Sequence, residues 1–281
     1  MMTRLTGALL RAILVVMTLA MPAILLPATP NDTQQIVAFM ALIIGVFTFS
    51  EYMSSCPSLV SFRDSAPFNR IKFFSFAITL LVLSLSLRSL TVPTTISSLL
   101  LSVSTVLAQA VDFPYSPVRL AVLMLPEGAD AQLIAKVRLT AGLSYVVSLI
   151  MLGGFYLFQR ASNWPVRNGG FNVWINLPTF DPTAGGDVVD RLRRDGRINL
   201  ILGFLLPFMI PAMVKISNNA FHLVDLSQQH TLIWVMTAWA FIPASLLMRG
   251  MALDRVALLI SQQRERAIAA SNEEHGGFLP A

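Results

Sequence analysis

The chain has 281 residues, of which 55% are apolar and only 12% charged, with a mean hydropathy of +0.67 and a formal net charge of +5. Soluble domains carry charge at about one residue in four, and disordered chains are richer still, so both classes are excluded. One cysteine, Cys56, rules out an internal disulfide framework and a cysteine-based metal cluster.

Lipid tolerates unpaired charge poorly, so the spans are read from the gaps between charges. From Arg11 to Asp32 lie 20 uncharged residues, from Asp32 to Glu51 18, from Lys72 to Arg88 15, and from Arg88 to Asp112 23. A further 21 lie between Arg138 and Arg160, 17 between Arg197 and Lys215, and 23 between Asp225 and Arg249. A crossing helix needs about 20 apolar residues, and flanking Arg or Lys can snorkel to extend a short one. The candidate spans are therefore 12–30, 34–50, 70–88, 94–111, 139–159, 198–214 and 231–248. They are apolar all round rather than alternating, which predicts an all-α polytopic bundle of six or seven transmembrane helices within a single membrane domain, 1–270. The first span follows Arg4 and Arg11 but lacks a clean cleavage site at Leu26-Pro27-Ala28, and reads as an uncleaved helix rather than a signal peptide.

The 20 Lys and Arg residues set the topology. Seven crossings would divide them almost evenly, whereas the positive-inside rule predicts a clear bias. The segment least like a simple span is 94–111. Its Thr95, Ser98, Ser102, Thr105 and Gln109, spaced three and four apart, draw one polar stripe along a helix. If it does not cross, 15 basic residues fall inside and 5 outside. Six crossings with both termini cytoplasmic is therefore preferred, in a bacterial inner membrane. The 160–197 connection is then cytoplasmic as well.

The stripe could line a polar pathway or mediate helix packing; alternatively its hydroxyls bond the carbonyls of the preceding turn. Ionisable groups are absent from the middle of every apolar segment, where ion-coupled carriers place them. Pro207 and Pro211 break 198–214 and could expose backbone, as in some transporters, or simply kink the helix. Arg191, Arg193, Arg194 and Arg197 form a basic patch suited to anionic lipid, partly offset by Asp187, Asp190 and Asp195. Asp181-Pro182 reads as a helix start, and Gly185-Gly186 before Asp187 as a turn too poor in motif residues for a nucleotide. His222, Asp225 and His230 match no helical metal spacing. The stretches Phe62–Arg70 and 176–197 stand out as specific wording without a family attached.

The sequence thus predicts a non-catalytic accessory subunit, scaffold or assembly partner of a larger membrane complex. The rival is a small permease or channel using the 95–109 stripe and the broken 198–214 helix. Expected partners are the bilayer with its anionic lipids and other membrane subunits, and no nucleic acid; no cofactor or metal is expected. An amphipathic helix is expected over 249–270 and a disordered tail over 271–281.

Overall fold

The computed structural model describes residues 2–27, 30–162, 164–165, 171–181, 183, 185–221 and 224–276. Among them the chain is an all-α membrane bundle. Six helices are long and apolar enough to cross a bilayer: α1 (Met2–Leu25), α2 (Asn31–Met53), α3 (Phe68–Ser89), α6 (Ala131–Ala161), α8 (Val188–Phe221) and α9 (Gln229–Gly276). Between α3 and α6 lie α4 (Thr95–Val111), α5 (Pro117–Leu120) and a 3-10 turn, Ala121–Met124. The short α7 (Val173–Asn176) precedes α8.

The starts are chemically marked. Asp32 sits in the first turn of α2, where a carboxylate complements the helix dipole. Thr94 and Ser97 cap α4 reciprocally, and the Asp130 carboxylate accepts the Leu133 N–H at the start of α6. Helices also outrun the uncharged gaps. Lys136 and Arg138 ride on the first turns of α6, and α9 continues through four arginines to Gly276, so 271–276 is helical where disorder was expected. Charge ends a hydrophobic span but not a helix. Residues 277–281 lie outside the described chain.

Two apolar cores mark the two ends of the bundle. One joins Leu26 after α1, Leu83 and Leu87 late in α3, Met124, Val137 early in α6, and Leu226 and Leu232 around the start of α9. The other joins Phe62 in the 54–67 connection, Phe68 at the start of α3, Met151 and Phe155 late in α6, Val189 and Leu192 at the start of α8, and Met248 to Ala257 in α9. The six long helices therefore alternate in direction. The start of α1, the 54–67 connection, the described residues of 162–187 and the far half of α9 share one end, which holds most of the described arginines. The fourth helix breaks this alternation. Leu90 and Thr91, just before it, and Asp112, just after it, border one groove with the start of α6 and with Gln229. It leaves and returns at the same end, and its 17 residues (about 26 Å) lie against α3 and α6.

Close approach fixes the helix pairs. A Cβ on Gly142 of α6 would lie 2.6 Å from the Cα of Ala108 in α4. A Cβ on Gly203 would lie 2.8 Å from the Pro243 carbonyl, and one on Gly250 2.8 Å from the Gly196 carbonyl, so α8 and α9 touch backbone to backbone. Small residues serve this role inside membranes, where the hydrophobic effect does not drive association.

Candidate functional site: the loop platform at the arginine-rich end

The platform is built from two connections far apart in sequence. At the end of α2 the Glu51 carboxylate accepts the N–H groups of Ser58, Leu59 and Val60 at 3.1, 2.9 and 3.1 Å, folding the loop back onto the helix. Arg63 then reaches the other way. Its Nη1 donates to the carbonyls of Glu51 (3.0 Å) and Ser54 (2.6 Å), satisfying acceptors that the helix end leaves open. Its Nε pairs with Asp64 at 3.2 Å.

Asn176 is the keystone. Its side chain is buried; Oδ1 accepts the Asp64 N–H (3.2 Å) and the Ser65 hydroxyl (3.0 Å), and Nδ2 donates to the Asn172 carbonyl (3.0 Å). Its own carbonyl accepts the Phe62 N–H at 2.6 Å. Phe62 holds φ = 55°, a left-handed conformation that costs an L-residue about 1–2 kcal/mol and persists only where its surroundings impose it. Its ring is fully buried among Phe68 (4.6 Å between centroids), Trp164 (5.4 Å) and Phe171 (6.1 Å). Trp164 in turn donates from Nε1 to the Ser65 carbonyl at 3.0 Å and meets Phe155 edge-on.

Further bonds tie the platform to α9. Arg255 Nε donates to the Trp164 carbonyl (3.3 Å), Arg249 Nη2 to the Thr179 hydroxyl (2.9 Å), and Arg264 pairs with Asp187 (2.7 Å). Asp187 also accepts the Val189 N–H and so caps α8. The Arg264 guanidinium first, and the Val189 N–H after it, hold the Asp187 carboxyl below its ordinary range. The two stretches that stood out in the sequence, 62–70 and 176–197, are thus in contact. What joins them is the side chain of Asn176, whose partners lie 111 and 112 residues away.

The basic patch divides. Arg191 lies over the Phe180 ring at 4.7 Å and donates to the Asp181 carbonyl, so it belongs to the platform. Arg193, Arg194 and Arg197 are exposed on the first turns of α8, with Arg194 3.6 Å from Asp195. Pro182 and His222 lie outside the described residues. Asp225 accepts the Ser227 hydroxyl and N–H, which together keep its carboxyl below its ordinary range, and His230 accepts a long bond from Trp234. Cys56 is exposed. Among the described residues no group of three or more His, Cys, Asp and Glu could hold a metal ion.

The stripe on α4 is placed differently from the face that packs. Thr95, Ser102 and Gln109 are exposed, and Ser98 and Thr105 half-buried; Ser102 bonds back to the Ser98 carbonyl and Thr105 to that of Leu101. The buried positions are Ser97, Ser104 and Ala108. Ser104 sits 3.3 Å from Ser86 of α3, and Ala108 meets Gly142. The signal for this face is the run of small residues, which a search for polar ones passes over. Thr105 and Gln109 do border a groove of about 810 Å³ together with Lys136 and Arg138. The helix expected to break at 198–214 does not: α8 runs without interruption from Val188 to Phe221 through both prolines. Pro211 has no N–H for the Pro207 carbonyl, and Trp239 of α9 donates its Nε1 there instead, at 3.0 Å. That carbonyl already has its partner.

No protein-family model, curated protein or solved structure matches this chain.

Proposed function

We propose that the chain is a non-catalytic, multi-pass scaffold or accessory subunit of a bacterial inner-membrane complex, with the loop platform and both termini in the cytoplasm. The observation that carries this reading is the length of α9. Its 48 residues rise about 72 Å, more than twice a hydrocarbon core of about 30 Å. The excess lies at the platform end, and the side chains of 262–272 there are exposed. Arg249, Arg255 and Arg264 brace the platform against this helix, so the projecting turns have a fixed direction. A rigid projecting helix on a braced base suits the docking of another subunit better than it suits solute passage. The permease alternative is weakened where the carbonyl freed by Pro211 is filled by Trp239. The cytoplasmic side follows from the 15 basic residues expected at the platform end.

Affinity purification in mild detergent tests this, comparing the full chain with one ending after Ser261. The full chain should bring down stoichiometric membrane subunits that the shortened chain loses while still inserting. A chain that purifies alone, as a single species stabilised by an added solute, would favour the permease.

A further inference from the structure

We propose that the groove between α1, the end of α2, the 62–70 segment and the start of α3 binds one anionic glycerophospholipid. Its phosphate lies between Arg11 and Arg70, with its acyl chains along Leu10, Leu14, Phe73 and Phe74. The groove is about 760 Å³, and these residues border it together with Tyr52, Arg63, Asp64 and Asn69. Its walls divide by chemistry: an apolar side faces the bilayer, where Leu10, Leu14 and Phe74 are exposed, and a cationic side lies level with the platform.

Charge complementarity chooses the occupant. Arg63 is spent on Asp64 and two carbonyls. Arg11 lies over the Tyr52 ring at 4.6 Å, and its Nη1 reaches back 2.7 Å to the Gly7 carbonyl, turning the guanidinium toward the platform end. It has no carboxylate partner among the described residues. Exposed Arg70 forms neither a hydrogen bond nor an ion pair among them. Two uncompensated guanidinium groups beside an apolar wall match a phosphodiester carrying acyl chains. A zwitterionic headgroup would bring its own cation to this site, and free phosphate would leave the apolar wall bare. The groove differs from the α8 patch, where three aspartates offset four arginines. The site does not depend on the scaffold reading.

The full chain is reconstituted in nanodiscs of equal phosphatidylglycerol and phosphatidylcholine, and retained lipid is read by native mass spectrometry. The wild-type chain should retain one phosphatidylglycerol in preference to phosphatidylcholine, and added inorganic phosphate should not displace it. R11Q/R70Q should lower the ratio of the two lipids by about 25-fold, the effect of removing two lipid-facing cations. R193Q/R194Q, outside the groove, should leave the ratio unchanged. Equal retention of both lipids, displacement by phosphate, an unchanged ratio in R11Q/R70Q, or an equal fall in R193Q/R194Q would overturn the site. If R11Q/R70Q fails to elute and show helicity as the wild type does, R70Q alone decides, with a fall of about fivefold. No fall there overturns it equally.

Discussion

The two ends of the bundle are ordered by different means. At the arginine-rich end, long connections are held by a few buried polar anchors: Asn176 on Asp64 and Ser65, Trp164 on Ser65, and Arg63 on the end of α2. At the opposite end, α4 is held by fit, with Ala108 against Gly142, Ser104 against Ser86, and a cap at Thr94 and Ser97. The first kind of order is specified by single side chains and fails when one is removed. The second depends on small residues allowing backbones together, and fails when something is added. That is why the platform offers a firm surface whereas α4 is simply laid into a groove.

Substitutions at the two ends should act in opposite ways. The largest effect is expected from Gly142→Leu. The new side chain meets the backbone of Ala108, which cannot yield as a rotamer would, so α4 must move, at a cost of about 3 kcal/mol. Detergent-stability midpoints would show the loss, with cleavage in 90–130 but the platform intact. Asn176→Ala should cost about 2 kcal/mol by orphaning the Asp64 N–H and the Ser65 hydroxyl. Its signature is the reverse: protease cleavage within 54–67 and unchanged protection around α4.

Trp239→Phe lies between the two ends. It leaves the Pro207 carbonyl buried without a donor, costing about 1 kcal/mol with no preference for either end. The smallest effect is electrostatic. The Asp187 carboxyl is depressed in the folded chain, so its pairing with Arg264 contributes fully above the ordinary carboxylate pKa. That contribution is lost as pH falls through the lowered value. Asp187→Asn should therefore loosen 262–276 at neutral pH, read by protease protection, and the difference from wild type should vanish in strong acid.

The long helices were legible in the sequence because lipid penalises charge at every residue, and a gap between arginines is a local signal. The number of crossings is legible only as charge parity, which singles out 94–111, the helix of 17 residues whose flanking Leu90, Thr91 and Asp112 border one groove. Helix limits were not: Lys136 and Arg138 end an apolar gap while continuing α6, and nothing between Arg249 and Glu274 breaks α9. The platform was hardest to foresee. Asn176 carries no local mark of its role, since the two donors to its Oδ1 are more than 100 residues away. The unusual wording of 62–70 and 176–197 was visible, but not that one asparagine joins them. On α4 the conspicuous pattern is the polar stripe Thr95, Ser98, Ser102, Thr105 and Gln109, whereas packing selects the small residues Ser97, Ser104 and Ala108.

In the proposed topology 54–67 and the far half of α9 share the cytoplasmic side, while the segment after α4 faces the other way. The exposed native Cys56 makes a direct test possible. Intact cells carrying the wild-type chain, and C56S chains with Glu127→Cys or Ser271→Cys, are treated with a membrane-impermeant maleimide before and after permeabilisation. Glu127→Cys should label at once, while Cys56 and Ser271→Cys should label only once the membrane is opened. Labelling of Cys56 in intact cells, or labelling that puts positions 56 and 271 on opposite sides, would contradict it.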